Sequence, residues 1–357
     1  MTPREKQIIE LLKINPTISQ QEIAQELNIT RSGVSSHINN LFNQGFILGR
    51  GYILREEEYI AIVGGCNMDI IGYSFDSLKD RDSNPGIIKY SSGGVARNIC
   101  ENIARLEVNT TFLSVLGEDD AGKKIYDELN SLNVDTSKML MSKGVTPHYL
   151  AVLDDNKDMT VAISDMELLK KLDKEYILKN KIILENAKFV VLDTNLDIET
   201  LDFIYKNVNA KYLIDGVSTK KVLKLKNILD KIHFLKVNIY EAIALAECDN
   251  NDNFDIEEIG KILINKGLNS IVITLGEKGA YYFDKDNIIF KKAKPLKVVN
   301  ASGAGDAFMA GYIYGIFNDY DINKRLDIAQ AMSRIALKSD SSSSDEINLK
   351  NLEDELK

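Results

Sequence analysis

Apolar positions follow two rhythms along the chain. Ile8, Leu11, Leu12 and Ile14 recur at helical spacing, and Asn15-Pro16 stops that run. Ser19 followed by Glu22 has the form of a capping box and opens a second helix with Ile23, Ala24 and Leu27 inward. Thr30 caps a third, whose Val34, Ile38 and Leu41 form one apolar stripe that ends at Gly45. Residues 46–54 then alternate about a Gly49-Arg50-Gly51 tip, as a two-stranded wing would. Beyond a charged joint at 55–58 the rhythm changes. Tyr59 to Val63 is a buried-strand run ending in Gly64-Gly65, and further strand runs fall at 111–115, 189–193, 211–215, 233–237 and 270–275. Helical spacing at 122–132 and 326–338 alternates with them, which predicts an α/β fold with a mostly parallel sheet and ligands at the strand C-terminal ends. Helical periodicity is missing at 70–100 and 146–164. There 87–90 and 148–153 read as short strands of a sheet flap over a site.

Length and charge refine this picture. The 357 residues suit one large domain with a small appendage, here divided as 1–55 and 59–357. Residues 1–55 carry a net charge of +2 and the remainder −11, so any nucleic-acid contact belongs to the front segment and would be strengthened by a homodimer. Cys66, Cys100 and Cys248 have no metal-ligand spacing and read as reduced thiols of a cytoplasmic protein. No apolar run approaches membrane-spanning length, and a membrane partner is not expected.

The chemistry concentrates in a few short stretches. After Val298-Val299, read as a strand end, Gly303, Ala304 and Gly305 form a small-residue turn before an amphipathic helix through Met309, Tyr312 and Ile316. Free amides and the positive helix end favour an anion there, and Asp306 in the first turn is placed to take a proton from an attacking hydroxyl. The alternative is a tight turn with a helix-start acid. Gly93 and Gly94 precede another helix and permit close backbone approach of a ligand, with Asn98 in its first turn. Asn67 and Asp69, at the end of the first strand after the joint, add polar groups suited to a sugar. Asn238 and Glu241 stand after the 233–237 strand with the spacing of a capping box. Thr274, Gly276 and Gly279 follow the 270–273 strand as a hairpin turn into 281–283. In the front segment the third helix presents Arg31, Ser32, Ser35, Ser36 and Asn39 on its polar face.

The front segment resembles the winged helix-turn-helix domains of bacterial regulators, which implies binding to double-stranded DNA; an interaction or dimerisation module is the alternative. From Tyr59 onward the two glycine elements, the Asn238-Ile239-Tyr240-Glu241 element and the 274–279 loop together resemble the ribokinase-like (PfkB) carbohydrate kinases. That resemblance implies a ribokinase-like sandwich with a small β-sheet lid and ATP and Mg²⁺ as cofactors. It also implies Asp306 as base, the amides of Gly303, Ala304 and Gly305 as anion hole, and Glu241 acting on Mg²⁺ in the outer sphere. Asn67, Asp69, Gly93, Gly94 and Asn98 then fall at sugar positions, and Asn238, Thr274, Gly276 and Gly279 near ATP. Asn300 stands where many relatives carry an acid, which leaves the need for a monovalent cation open. Within the family, residues 69–74, 82–86, 97–99, 162–166 and 300–306 are most similar to the pseudouridine kinases. A ribose 5′-hydroxyl is then the acceptor, with Thr146, Tyr149 and Asp165 facing the base. Another ribonucleoside, ribose or a different sugar is the alternative, as is Asp165 capping the helix after it. A transcriptional regulator that keeps the kinase fold only as a ligand sensor is the competing function.

Overall fold

The computed structural model describes residues 1–48, 58–248, 255–339 and 343–357. Three helices come first: α1 (Pro3–Ile14), α2 (Gln20–Glu26) and α3 (Arg31–Asn43). Thr2, Ser19 and Thr30 cap them, with complete capping boxes at the first two. Their shared core holds Ile8, Leu12, Ile23, Val34, Ile38 and Leu41, together with Ile47. Ile14, expected inward, is the last residue of α1 and 83% exposed, whereas Ile9 is buried. The expected wing tip at 49–51 lies outside the described residues.

The remaining chain is layered. Its strands are β1 (Ile60–Val63), β2 (Asn67–Ser74), β3 (Gly86–Gly93), β4 (Thr110–Leu113), β5 (Val115–Gly117), β6 (Leu140–Ser142), β7 (His148–Leu153), β8 (Met159–Asp165), β9 (Phe189–Asp193), β10 (Tyr212–Asp215), β11 (Ile232–Asn238), β12 (Ser270–Thr274), β13 (Gly279–Asp284) and β14 (Ile288–Lys292). The helices between and after them are α4 (Val95–Ala104), α5 (Asp120–Ser131), α6 (Lys174–Asn186), α7 (Ile198–Asn207), α8 (Thr219–Val222), α9 (Ile239–Ala246), α10 (Ile256–Asn265), α11 (Ala304–Phe317), α12 (Ile322–Leu337) and α13 (Leu349–Leu356). Eight strands form the central sheet in the order β14-β13-β12-β11-β10-β9-β1-β4. It is parallel from β12 to β4, with β13 and β14 added as antiparallel strands. One core lies on each face, which is why β1, β9 and β10 are apolar without alternation.

A second sheet, β3-β2-β7-β8, forms the lid. It recruits β2, and so Asn67 and Asp69 belong to the first lid strand rather than to the end of β1. The break at Gly64-Gly65 turns the chain out of the central sheet. Two other expectations change. Val298 and Val299 are 51% and 57% exposed and lie in no strand. The α11 helix is buried nearly all round rather than amphipathic, since α4, α12 and the sheet enclose it. Phe234 of β11 stacks on Tyr312 of α11 at 4.1 Å between centroids. Such a pair adds about 0.5–1.5 kcal/mol beyond area burial and ties the middle of α11 to β11.

Candidate active site

The N-cap of α11 is Gly303, at φ 77°. A left-handed residue without a side chain opens the turn at little steric cost and offers no oxygen to the helix end. Among the described residues the amides of Gly305 and Asp306 find no acceptor, whereas Ala307 N–H already bonds to the Gly303 carbonyl at 2.9 Å. The Asn300 side chain, in the position of the expected acid, accepts from Ser302 N–H at 2.9 Å and shapes the approach to the turn. Asp306 projects beside these free donors. Its Oδ2 accepts from Asn98 Nδ2 at 2.8 Å, which joins residues 208 apart in sequence. Desolvation, reinforced by the charge of Asp215, pushes the Asp306 carboxyl up to about 7, while Lys236 and Asn98 pull it down. A carboxylate so poised is matched to proton abstraction near neutrality.

The helix that brings Asn98 starts at Gly94, at φ 104°, where a methyl group would lie 2.5 Å from the Gly65 carbonyl. Gly93 is equally constrained, because a methyl there would meet Asp69 Oδ2 at 2.2 Å. Asn67 Nδ2 donates to Asp69 Oδ1 at 2.5 Å, and burial raises the Asp69 carboxyl above its ordinary range. Asn67, Asp69, Gly93, Gly94, Asn98 and Asp306 therefore form one connected wall. Lid register places Tyr149 and Ser164 in line with Asp69. Asp165 pairs with His148 and Met68, so it occupies the opposite face, and its Oδ1 accepts from Glu167 N–H at 3.3 Å. The expectation that Asp165 faces a ligand beside Tyr149 is corrected by the two-residue period of the strand. Thr146 is likewise committed elsewhere: it is buried, its hydroxyl donates to Asp119 Oδ1 at 2.5 Å and accepts from Gly117 N–H at 3.0 Å.

Farther along the sheet edge, Asn238 caps α9 and completes a capping box with Glu241. Asn238 Nδ2 donates to Glu241 Oε1 at 2.6 Å and its N–H donates to Oε2 at 2.9 Å. Burial raises the Glu241 carboxyl. Among the described residues no group of three acidic, histidine or cysteine side chains is disposed to hold a metal. The oxygen chemistry of Glu241 fits a Mg²⁺ ion brought by nucleotide phosphates and reached through water. Thr274 donates to the Val237 carbonyl at 3.3 Å. The segment after it is the hairpin between β12 and β13: Gly276 faces open space, and a methyl on Gly279 would strike the Lys291 carbonyl at 2.1 Å.

Three polar residues of the site were missed in the sequence. Asp193 closes β9 and accepts from the N–H groups of Gly65 and Ala96, both at 3.0 Å, so one carboxylate ties the β1 exit to the start of α4. Asp215 closes β10, and Lys236 near the end of β11 donates to it at 3.0 Å. All three are buried. Their signal was a charged residue at or near the end of an apolar run. At the other end of the chain Arg31, Ser32, Ser36 and Asn39 are exposed on α3, with Ser35 half-buried.

This geometry is that of a phosphoryl-transfer enzyme, and the comparisons agree. Residues 57–348 match the model of the pfkB family carbohydrate kinases, and residues 1–47 that of winged helix-turn-helix DNA-binding domains. The chain belongs to the pfkB carbohydrate kinase family and carries an N-terminal winged helix-turn-helix domain. It is 34% identical over 339 residues to an uncharacterized sugar kinase of Escherichia coli K12, YeiI, with 94% of each chain covered, a span too long for the kinase domain alone. It is 34% identical over 303 residues to the pseudouridine kinase of the same organism, covering 84% of this chain and 96% of that one. The structure of a ribokinase from Thermotoga maritima matches at a TM-score of 0.76 and 18% identity, over 84% of this chain and 99% of that one, which establishes the ribokinase-like fold. Among the described residues no helix is long and apolar enough to cross a membrane.

Proposed function

We propose that this sugar or nucleoside kinase phosphorylates the 5′-hydroxyl of pseudouridine with ATP, and that its front domain binds double-stranded DNA. The observation that carries the kinase chemistry is the pairing of unoccupied amides at the start of α11 with Asp306, held by Asn98 against the Asp69 wall. In this reading Asn67, Asp69 and Asn98 orient the ribose, Gly93 and Gly94 admit it to the backbone, and Tyr149 covers the base from the lid. Asp306 takes the hydroxyl proton, and the amides of Gly303, Gly305 and Asp306 hold the charge on the transferred group, while the Ala304 amide, expected in that role, already donates to the Ala301 carbonyl at 3.5 Å. Asn238, Thr274, Gly276 and Gly279 line the nucleotide side. Mg²⁺ bound with ATP would neutralise phosphate charge, with Glu241 orienting its water shell. The likeness to the pseudouridine kinase supports the choice of acceptor.

The test is ATP consumption by the full chain with Mg²⁺ across pseudouridine, uridine, adenosine, ribose and fructose. Preference for pseudouridine is expected. Turnover only with another acceptor overturns the substrate, and none with any acceptor moves the reading to a ligand sensor. For DNA, the exposed Arg31 on α3 and the small front-domain charge point to a homodimer on paired half-sites.

A further inference from the structure

Lys236 is 8% exposed and emerges from β11 directly opposite Asp215 of the parallel neighbour β10. A lysine near a strand end ordinarily extends its ammonium to water, and burying the charge is costly unless it is paired. Asp215 supplies the pair, 3.0 Å away, and is itself fixed because its Oδ1 accepts from Val217 N–H at 2.8 Å. An ammonium has three donors, and among the described residues Lys236 uses one, toward Asp215. Its nitrogen also presses on the α11 turn: a methyl built on Gly305 would lie 2.9 Å from it. An ion pair serving stability alone would account for Asp215 but not for spare donors set against a helix start whose Gly305 and Asp306 amides stand open beside a carboxylate.

We propose that Lys236, tethered by Asp215, supplies the positive charge of the phosphoryl site and acts with the α11 amides on the terminal phosphoryl group of ATP. Asp215 is the positioning residue that keeps it there. The inference deepens the kinase reading and rests on it for the identity of the ligand. In the transfer, the acceptor oxygen bonds to the γ-phosphorus as the bond from that phosphorus to the β,γ-bridging oxygen breaks. ADP leaves with the electron pair, the hydroxyl proton passes to Asp306, and Lys236 neither gains nor loses a proton. Its fixed charge offsets the negative charge spread over the phosphoryl oxygens.

The full chain is compared with Lys236→Met, Lys236→Arg, Asp215→Asn and the charge-balanced double variant Lys236→Met/Asp215→Leu. The double variant keeps the pocket neutral if the single change prevents folding. Two readouts are used: kcat and KM for the acceptor that the wild type phosphorylates, and calorimetric affinities for Mg²⁺-ADP and Mg²⁺-AMP-PNP, which need no turnover. Lys236→Met is expected to lower kcat by about 10²–10³-fold with acceptor KM moved less than roughly threefold. It should weaken AMP-PNP but not ADP, and the double variant should do the same. Lys236→Arg should recover part of kcat, and Asp215→Asn should lose less in the same direction. A folded Lys236→Met chain with wild-type kcat, or one that weakens ADP and AMP-PNP equally, overturns the proposal. If the wild type transfers to no acceptor yet the AMP-PNP preference disappears with Lys236, the kinase reading fails and the lysine assignment stands.

Discussion

Helices α4 and α11 both begin at a glycine with no side-chain cap, unlike most of their neighbours, which start at Thr, Ser, Asp or Asn. They resolve the same electrostatic situation in opposite ways. At α4 the protein provides its own anion: Asp193, distant in sequence, accepts from Ala96 N–H and from Gly65 N–H. At α11 the equivalent donors on Gly305 and Asp306 have no internal acceptor among the described residues. One helix end is closed and holds the wall of the acceptor site in place. The other is open, and under the proposed function it takes charge that arrives with a ligand. A glycine-led helix start is thus a shared local device whose role is decided by whether a carboxylate from elsewhere in the fold reaches it.

Substitutions at the two ends should separate those roles. Asp306→Asn keeps the shape of the open end and removes its base; kcat should fall by about 10²–10⁴-fold while nucleotide affinity is kept. Steady-state kinetics beside calorimetry would show this, and near-normal turnover would remove Asp306 from the base role. Asp193→Ala strips the closed end of its anion and strands buried N–H groups. Stability should drop by about 2–5 kcal/mol, seen as a lower urea midpoint. An unchanged midpoint would mean that water substitutes for the carboxylate.

The smallest effect is graded and comes from pH. With its carboxyl pushed up to about 7, Asp306 is protonated progressively below that value, so kcat/KM should fall with acidification. The fall should approach tenfold per pH unit below the midpoint, and Asn98→Ala, by removing a hydrogen bond that favours the ionised form, should move the midpoint upward. Stability carries the opposite sign. The unfolded chain ionises this group near pH 4, so the folded state binds the proton more tightly, and this residue's contribution to stability grows as pH falls from 7 towards 4. A pH series of unfolding midpoints for wild type and Asp306→Asn isolates that contribution; identical slopes would place the carboxyl at its ordinary value.

Much of this was legible in the chain because it is locally encoded. The runs at β9, β10, β11 and β12 are apolar enough to announce a sheet buried on both faces, and Gly303 to Asp306 announces an open helix start. What escaped depends on long-range register. Asp165 and Ser164 are adjacent in sequence, and only pairing with β7 decides which shares the side of Asp69 and Tyr149. Asp193, Asp215 and Lys236 sit within or at the close of hydrophobic runs, where a single charge looks like a strand boundary until the fold supplies its partner: Lys236 for Asp215, and the Gly65 and Ala96 N–H groups for Asp193. Thr146 showed the reverse: a hydroxyl in the right neighbourhood is consumed by Asp119.

The bond between Asn98 and Asp306 also sets an order of events during synthesis. The front helices close their own core with residues no later than Ile47, so that domain can fold as soon as it leaves the ribosome. Asp306 is made some 260 residues later, roughly 13–50 s at typical elongation rates of about 5–20 residues per second. During that interval a nascent chain carries the finished front helices without Asp306, and a chain that stops short of α11 keeps those helices but never closes the Asn98–Asp306 bond.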